Sequence, residues 1–346
     1  MVLRILLLPF AGLYRLVTGL RNRLFDLGLK PSVKFDLPVI CVGNLVAGGT
    51  GKSPMVEHLV RLLSDKYKVA TLSRGYGRKT KGLRIGNSLD SADTLGDEPF
   101  QFYRKFSDKI TVSVGEDRAL AIPNILHVYP ETDVILMDDA FQHRSVRPSF
   151  SILLSDFNKP FYKDYLIPAG RLRESRGGAD RADVIVITKC PSQISDDTFM
   201  MMESEIRKYT NKRVFYSKIR YGYPVAFGGH QQAMKENVIL ISGIANPESL
   251  INHVKSGYTL IKHFSFKDHH DYSLEDLKEL HEFSKAHPEA TLLTTEKDMV
   301  KIDTEHFKQL IVQMPLFYLP IETEFLKDGE DFDEMVLSVF NHVDDK

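Results

Sequence analysis

The sequence predicts an α/β protein: a doubly wound parallel sheet of the phosphate-loop nucleotide-binding type, a smaller second α/β domain and an N-terminal amphipathic helix. Three observations carry that expectation. Short β-branched runs alternate with helical stretches along most of the chain, the first run leads directly into a glycine-rich loop ending Gly51-Lys52-Ser53, and a basic apolar segment precedes them all. Uninterrupted apolar runs of this length suit strands covered by helices on both faces, the arrangement of parallel sheets.

The N-terminal segment comes first. Its longest uncharged run, 5–14, is about half of the ~20 residues needed to span a bilayer and contains Pro9 and Gly12. Arg15, Arg21 and Arg23 occupy the region where a secretory cleavage site would fall. On a helical wheel Val2, Leu6, Phe10, Leu13, Leu16, Val17, Leu20 and Leu24 share one face, and Arg4, Arg15, Thr18 and Asn22 share the other. Such a helix lies in a membrane interface with its arginines near anionic headgroups, or packs on the protein's own core.

Strands are expected at 39–42, 69–72, 110–114, 134–137, 152–154 and 184–188. The texture then changes to Tyr- and Gly-rich residues, which read as extended linking segments. A second set of strands follows at 238–242, 259–262, 290–294 and 316–319. The expected division is therefore an interfacial helix at 1–28, a phosphate-loop domain at 29–215, a linker at 216–237 and a smaller α/β domain at 238–346.

Composition bounds the function. The 346 residues carry 45 Lys+Arg against 46 Asp+Glu, 43% hydrophobic residues and two cysteines, which excludes disorder, a disulfide framework and a general nucleic-acid binder. Charge is unevenly distributed: residues 1–36 are basic and the tail from Pro320 is acidic. Cys41 and Cys190 have no metal spacing and read as buried free thiols.

The loop Gly43-Asn44-Leu45-Val46-Ala47-Gly48-Gly49-Thr50-Gly51-Lys52-Ser53-Pro54 follows the first strand and opens a helix. Backbone N–H groups of Gly48, Gly49, Thr50 and Gly51 can cradle phosphate oxygens, Lys52 reaches the outer phosphates, and the Ser53 hydroxyl can ligate Mg²⁺. The usual spacing puts a glycine where this chain has Val46. Asp138 and Asp139 end an apolar run, where a carboxylate beside a phosphate loop holds the metal or its waters. Gln142, His143 and Arg144 follow closely. Asp97, in Leu95-Gly96-Asp97-Glu98-Pro99, is a candidate base for a sugar hydroxyl, while Arg118 and Arg171 offer cations to a transferred phosphoryl group. The guanine-reading carboxylate expected after Thr188-Lys189 is replaced by Pro191, which argues against a GTPase. A partitioning-type membrane ATPase is the alternative, but its signature first lysine is Ala47 here.

Taken in order, the phosphate loop, Ser73-Arg74-Gly75-Tyr76-Gly77, Gly96-Asp97-Glu98-Pro99, Asp138-Asp139-Ala140-Phe141-Gln142-His143, Pro168-Ala169-Gly170-Arg171-Leu172-Arg173-Glu174, Ser242-Gly243-Ile244-Ala245-Asn246-Pro247, Asp268-His269-His270-Asp271-Tyr272 and Thr295-Glu296-Lys297-Asp298 make the sequence similar to the tetraacyldisaccharide 4'-kinases. The resemblance covers about residues 1–320, and that family's loop also keeps its glycine at the place of Gly43. It implies transfer of the γ-phosphate of ATP to the 4'-hydroxyl of an acylated disaccharide 1-phosphate, at the cytoplasmic face of a bacterial inner membrane, with no nucleic acid or protein partner. It further implies Lys52 and Ser53 on the phosphates and Mg²⁺, and Asp138, Asp139 and Gln142 around the metal. Asp97 is implied as general base, with a His from the Asp-His-His segment as its partner. His269 is favoured over His270 in that role, and because it lies in the second domain the dyad would form on domain closure.

Overall fold

The computed structural model describes residues 2–230 and 232–341, with side chains from residue 6 on. The expected helix positions Val2 and Arg4 fall outside the described side chains, and the end of the acidic tail, 342–346, lies outside the described residues. In chain order the elements begin with α1 (Val2–Asp26), β1 (Val39–Asn44), α2 (Lys52–Leu63), β2 (Val69–Ser73), β3 (Arg84–Ile85), α3 (Ala92–Leu95), α4 (Asp97–Phe106), β4 (Ile110–Val114), α5 (Arg118–Val128), β5 (Val134–Asp138), β6 (Phe150–Asp156), β7 (Val184–Thr188), α6 (Asp196–Arg207) and β8 (Arg213–Tyr221). The second set is β9 (Val225–Ala226), β10 (Asn237–Ser242), α7 (Glu248–Gly257), β11 (Thr259–Ser265), α8 (Leu274–Ala286), β12 (Ala290–Thr295), α9 (Glu296–Ile302), α10 (Lys308–Ile311), β13 (Leu316–Leu319), β14 (Ile321–Phe325) and α11 (Gly329–Leu337).

Among the described residues there are two sheets. The larger runs β14-β8-β7-β6-β1-β5-β2-β4-β3, and the smaller runs β11-β10-β12-β13-β9. Strands β8 to β4 of the larger sheet are mutually parallel, and only its edges, β14 and β3, run antiparallel. The central strands are buried on both faces, as their apolar runs require: in β1, Val39 and Cys41 enter one core while Ile40 and Val42 enter the other. Both cysteines are free and buried, as expected.

The expected division of the chain is corrected in two places. Residues 213–221, read from Tyr216 onward as a linker, form strand β8 of the larger sheet, because their alternating Val, Phe, Tyr and Ile place Phe215 in one core and Tyr216 in the other. The segment after 320, assigned to the smaller domain, leaves it: β14 pairs with β8, and α11 buries Phe332 and Val336 against Met55, Val56 and Leu59 of α2. His58 and Asp333, 2.7 Å apart, fix the same pair of helices.

Candidate active site

Parallel α/β sheets bind ligands beyond the carboxyl ends of their strands. Here both sheets present those ends to the same cleft. On the larger sheet, β1 gives way to the phosphate loop, and Asp138 stands beside it because β5 pairs with β1 in the register Val42 to Asp138.

The loop is braced from several directions. Asn44 donates to Thr50 Oγ1 at 2.6 Å, Thr188 donates to Thr50 O at 2.8 Å, and Lys189 Nζ donates to Gly49 O at 2.5 Å. Val46 occupies the position where the usual spacing has glycine, since its side chain is buried and its backbone bridges to Leu172. Gly51 turns the chain into α2 with φ of 79°, a left-handed conformation that glycine adopts without Cβ strain. Lys52, Ser53 and the tolerated Pro54 then form the first turn of α2.

The two acids at the end of β5 have different surroundings. Asp139, at φ 48°, receives a two-pronged hydrogen bond from Arg173 at 2.7 and 3.2 Å, with Lys52 Nζ at 3.8 Å. Burial alone would raise its pKa, but Lys52 and Arg173 outweigh it and hold the carboxyl below its ordinary value. Asp138 is buried, accepts from Ser73 at 3.3 Å and leaves Oδ1 without a partner. Burial first, and then the nearby charge of Glu98, push its pKa up to about 7. A buried carboxylate oxygen without a hydrogen-bond partner, at the end of the strand beside the phosphate loop, fits a hard divalent cation. Among the described residues no group of three or more His, Cys, Asp or Glu side chains is assembled as a cage. The donor set therefore suits an ion that takes its remaining ligands from phosphate and water, as Mg²⁺ does.

The other expected side chains are distributed unevenly. Gln142 donates its amide to Asn44 O and Glu174 Oε1, at 2.8 and 2.9 Å, so that group belongs to the scaffold under the loop. Arg118 is buried and donates to the carbonyls of Gly115 and Glu116, and Asp138 and Asp139 are among the charges acting on it. Arg171, expected to offer a cation to the phosphoryl group, is turned to Asp164 at 2.7 Å, and it is Arg173 that lies beside Asp139 and Asn44.

Across the cleft, α4 starts at Asp97 after Gly96, whose φ is 93° and where a Cβ would lie 2.8 Å from Tyr76 O. From the smaller sheet, the loop after β11 carries His269 in a left-handed conformation, φ 58°, and places its Nδ1 3.1 Å from Asp97 Oδ2. A non-glycine residue held there is a strain that the surrounding structure must sustain, of the kind that gathers at functional sites. His270 goes elsewhere: it lies 3.0 Å from Asp276, inside the capping box that opens α8, and stacks on Phe266. Lys301 Nζ is 3.6 Å from Asp97 Oδ2, and Tyr76 covers His269 edge-on at 5.4 Å. For Asp97 too, burial alone would raise the pKa, but the hydrogen bond from His269 and the charges of Lys301 and Lys297 prevail and hold it below its ordinary value. Sequence reasoning missed Tyr76, Arg173, Lys297 and Lys301 as individuals, although the first three lie inside the motifs quoted above.

Helix α1 is attached to the site's rim by its polar face. Tyr14 donates to Arg173 O, Arg21 to Gln142 O and Asn22 to Glu174, at 2.8–2.9 Å. Its apolar face points outward: Leu6, Phe10, Leu13, Leu16, Val17 and Leu20 are 61–71% exposed. Among the described residues no helix is long and apolar enough to cross a membrane.

The sequence model of the family described as tetraacyldisaccharide-1-P 4'-kinase matches residues 3–341. Curated relatives named tetraacyldisaccharide 4'-kinase include those of Flavobacterium johnsoniae, 40% identical, and Flavobacterium psychrophilum, 41% identical. The alignments cover 97% of this chain in both cases, and 97% and 96% of the respective relatives. A crystal structure of LpxK from Aquifex aeolicus, described as an apo form in complex with ATP, is 29% identical and superposes with a TM-score of 0.75. That match covers 98% of this chain and 99% of the other. With a braced phosphate loop, a buried acid beside it and this match over nearly the whole length, the chain belongs to the tetraacyldisaccharide-1-P 4'-kinase family and is a kinase of lipid A biosynthesis.

Proposed function

We propose that the protein transfers the γ-phosphoryl group of ATP to the 4'-hydroxyl of tetraacyldisaccharide 1-phosphate with Asp97 as the base. The observation that carries this reading is the approach of His269 to within 3.1 Å of Asp97 from the opposite sheet. In this reading the N–H groups of residues 48–51 and Lys52 hold the ATP phosphates, and Asp139, engaged by Arg173 and Lys52, fixes the lysine's direction. Ser53 and Asp138 would hold Mg²⁺, with Gln142 in the supporting shell. The ion would supply charge neutralisation at the phosphates. Arg118 contributes positive charge from beneath. Phosphoryl transfer has a loose transition state in most analyses, so a carboxylate of low pKa suffices: it accepts the hydroxyl proton late and is ionised at neutral pH.

The substrate is an acylated lipid, and the outward apolar face of α1 suits docking to an inner-membrane surface on its cytoplasmic side. A helix whose polar side is hydrogen-bonded to the protein and whose leucines face away has its packing surface still to be covered. The test of the chemistry is the fate of label from [γ-³²P]ATP. Label is expected in a lipid product, dependent on the acylated acceptor; label released as free phosphate regardless of acceptor would favour the partitioning-type ATPase.

A further inference from the structure

The end of β7 holds two successive carbonyls of the phosphate loop. Thr188 Oγ1 donates to Thr50 O at 2.8 Å, and Lys189 Nζ donates to Gly49 O at 2.5 Å. In a trans peptide the C=O and the following N–H point in opposite directions, so fixing these two oxygens also fixes the N–H groups of Thr50 and Gly51. Both are thereby turned away from β7. In the sheet order β7-β6-β1-β5, the strand that ends in Asp138 lies beyond β1 on that other side. The peptide that Lys189 holds has little restraint of its own, because Gly48, at φ 115°, and Gly49 have no Cβ to oppose a flip. Flipped, the Gly49 carbonyl would offer its negative end to the phosphates in place of the Thr50 N–H. Lys189 is itself held: its Nζ lies 3.1 Å from Asp156 Oδ2 at the end of β6, and Asp156 Oδ1 accepts from the N–H groups of Asn158 and Lys159. Its backbone is left-handed, φ 57°, a conformation that a residue other than glycine keeps only where its surroundings sustain it. Thr188-Lys189 is also the pair that would precede a guanine-reading acid, and it is kept here with Pro191 in that acid's place.

We propose that Lys189 is a positioning residue of the nucleotide site: its ammonium group, fixed by Asp156, holds Gly49 O on the β7 side and so keeps the Thr50 N–H turned toward the phosphates. This rests on the reading in which the N–H groups of residues 48–51 hold the phosphates of ATP. Lys52 and Lys189 then have different tasks within one loop. Lys52 meets the phosphates itself, whereas Lys189 acts through the backbone, from the outer side of the cradle. Thr188 does the same for the next peptide, and the two bonds together set the direction of consecutive N–H donors before any nucleotide arrives. Such pre-organisation lowers the cost of ordering a glycine-rich loop on binding, so its loss appears in affinity for the nucleotide and not in the transfer step.

The test is the affinity of the full-length protein for ATP with Mg²⁺, measured by titration calorimetry beside the steady-state constants. Lys189→Met is expected to raise both Kd and KM for ATP about 10-fold while kcat at saturating ATP stays within about 3-fold, since phosphates once bound order the loop themselves. A Kd for ATP within about 2-fold of wild type in Lys189→Met, or a loss confined to kcat, would overturn the proposal. A crystal structure of the wild type with ADP and Mg²⁺ tests the same point without a variant: Nζ should remain on Gly49 O, and a lysine turned onto the nucleotide would overturn the brace. Lys52→Met separates this proposal from the reading it rests on. If Lys52→Met binds ATP as wild type does, the loop is not the phosphate site and that reading fails. If Lys52→Met loses ATP while Lys189→Met keeps it, the brace alone fails.

Discussion

Asp138 and Asp139 are adjacent, yet their environments push their pKa values in opposite directions. Asp138 is buried with one oxygen unpartnered, and its carboxyl is raised to about 7 from an ordinary 3.8. Between those values the unfolded chain has lost the proton that the folded chain keeps, so stability falls as pH rises through this window and stays lower above it. Asp138→Asn should therefore raise the melting temperature relative to wild type at pH 8 and make little difference at pH 4, while turnover drops by about 100-fold or more. Thermal unfolding at the two pH values checks the first part. The arginines give a second contrast: Arg173→Met, which frees Asp139, should lower kcat/KM for ATP about 10-fold or more, whereas Arg171→Met, whose partner is Asp164, should leave it within about 2-fold. Much of this was legible in the sequence at the level of motif and little at the level of atom. The phosphate loop is contiguous, so its chemistry could be read directly. His269, Lys297 and Asp97 meet across 172 and 28 residues of chain, and nothing in residue order tells which neighbour of a pair faces the partner. His270 is diverted because Asp276 of the adjacent capping box competes for it.

At the scale of elements, burial decided what could be anticipated. Strands β1, β5 and β7 are apolar up to their last residues because both faces are covered, and such runs announce themselves. Strand β8 was obscured because its far end, from Lys218 to Tyr221, pairs with β14 at a half-exposed edge and carries charge there. Helix α1 was legible as amphipathic, but not in which direction it faces. With α1 docked to a membrane surface as proposed, Leu16→Glu with Val17→Glu should weaken that docking without altering the fold, since neither side chain is buried. Each lost insertion of such a side chain is worth about 1.5–3 kcal/mol, so cosedimentation with anionic vesicles should weaken at least about 10-fold with an unchanged circular dichroism spectrum.

For the molecule as a whole, the chain's return to its first sheet ties the two domains together. Phe332 of α11, fully buried against α2 and β8, belongs to the core under the phosphate loop. Phe332→Ala should cost about 3–5 kcal/mol in urea unfolding and should disturb nucleotide binding before the smaller sheet is affected. The domains also share a buried ionic cluster, in which Lys105 of α4 bridges Glu57 of α2 and Glu296 of α9, each at 2.7 Å. Both sheets thereby bring their carboxyl ends to one cleft, where, in the proposed reading, Asp97 and His269 act as one unit supplied by two domains. The most direct measurement is a double-mutant cycle on the rate of label transfer to the acylated acceptor, using Asp97→Ala, His269→Ala and the pair. Each single change is expected to cost about 100-fold or more and the double variant little beyond the worse of them. Near-normal turnover in Asp97→Ala, or losses that simply multiply, would contradict it.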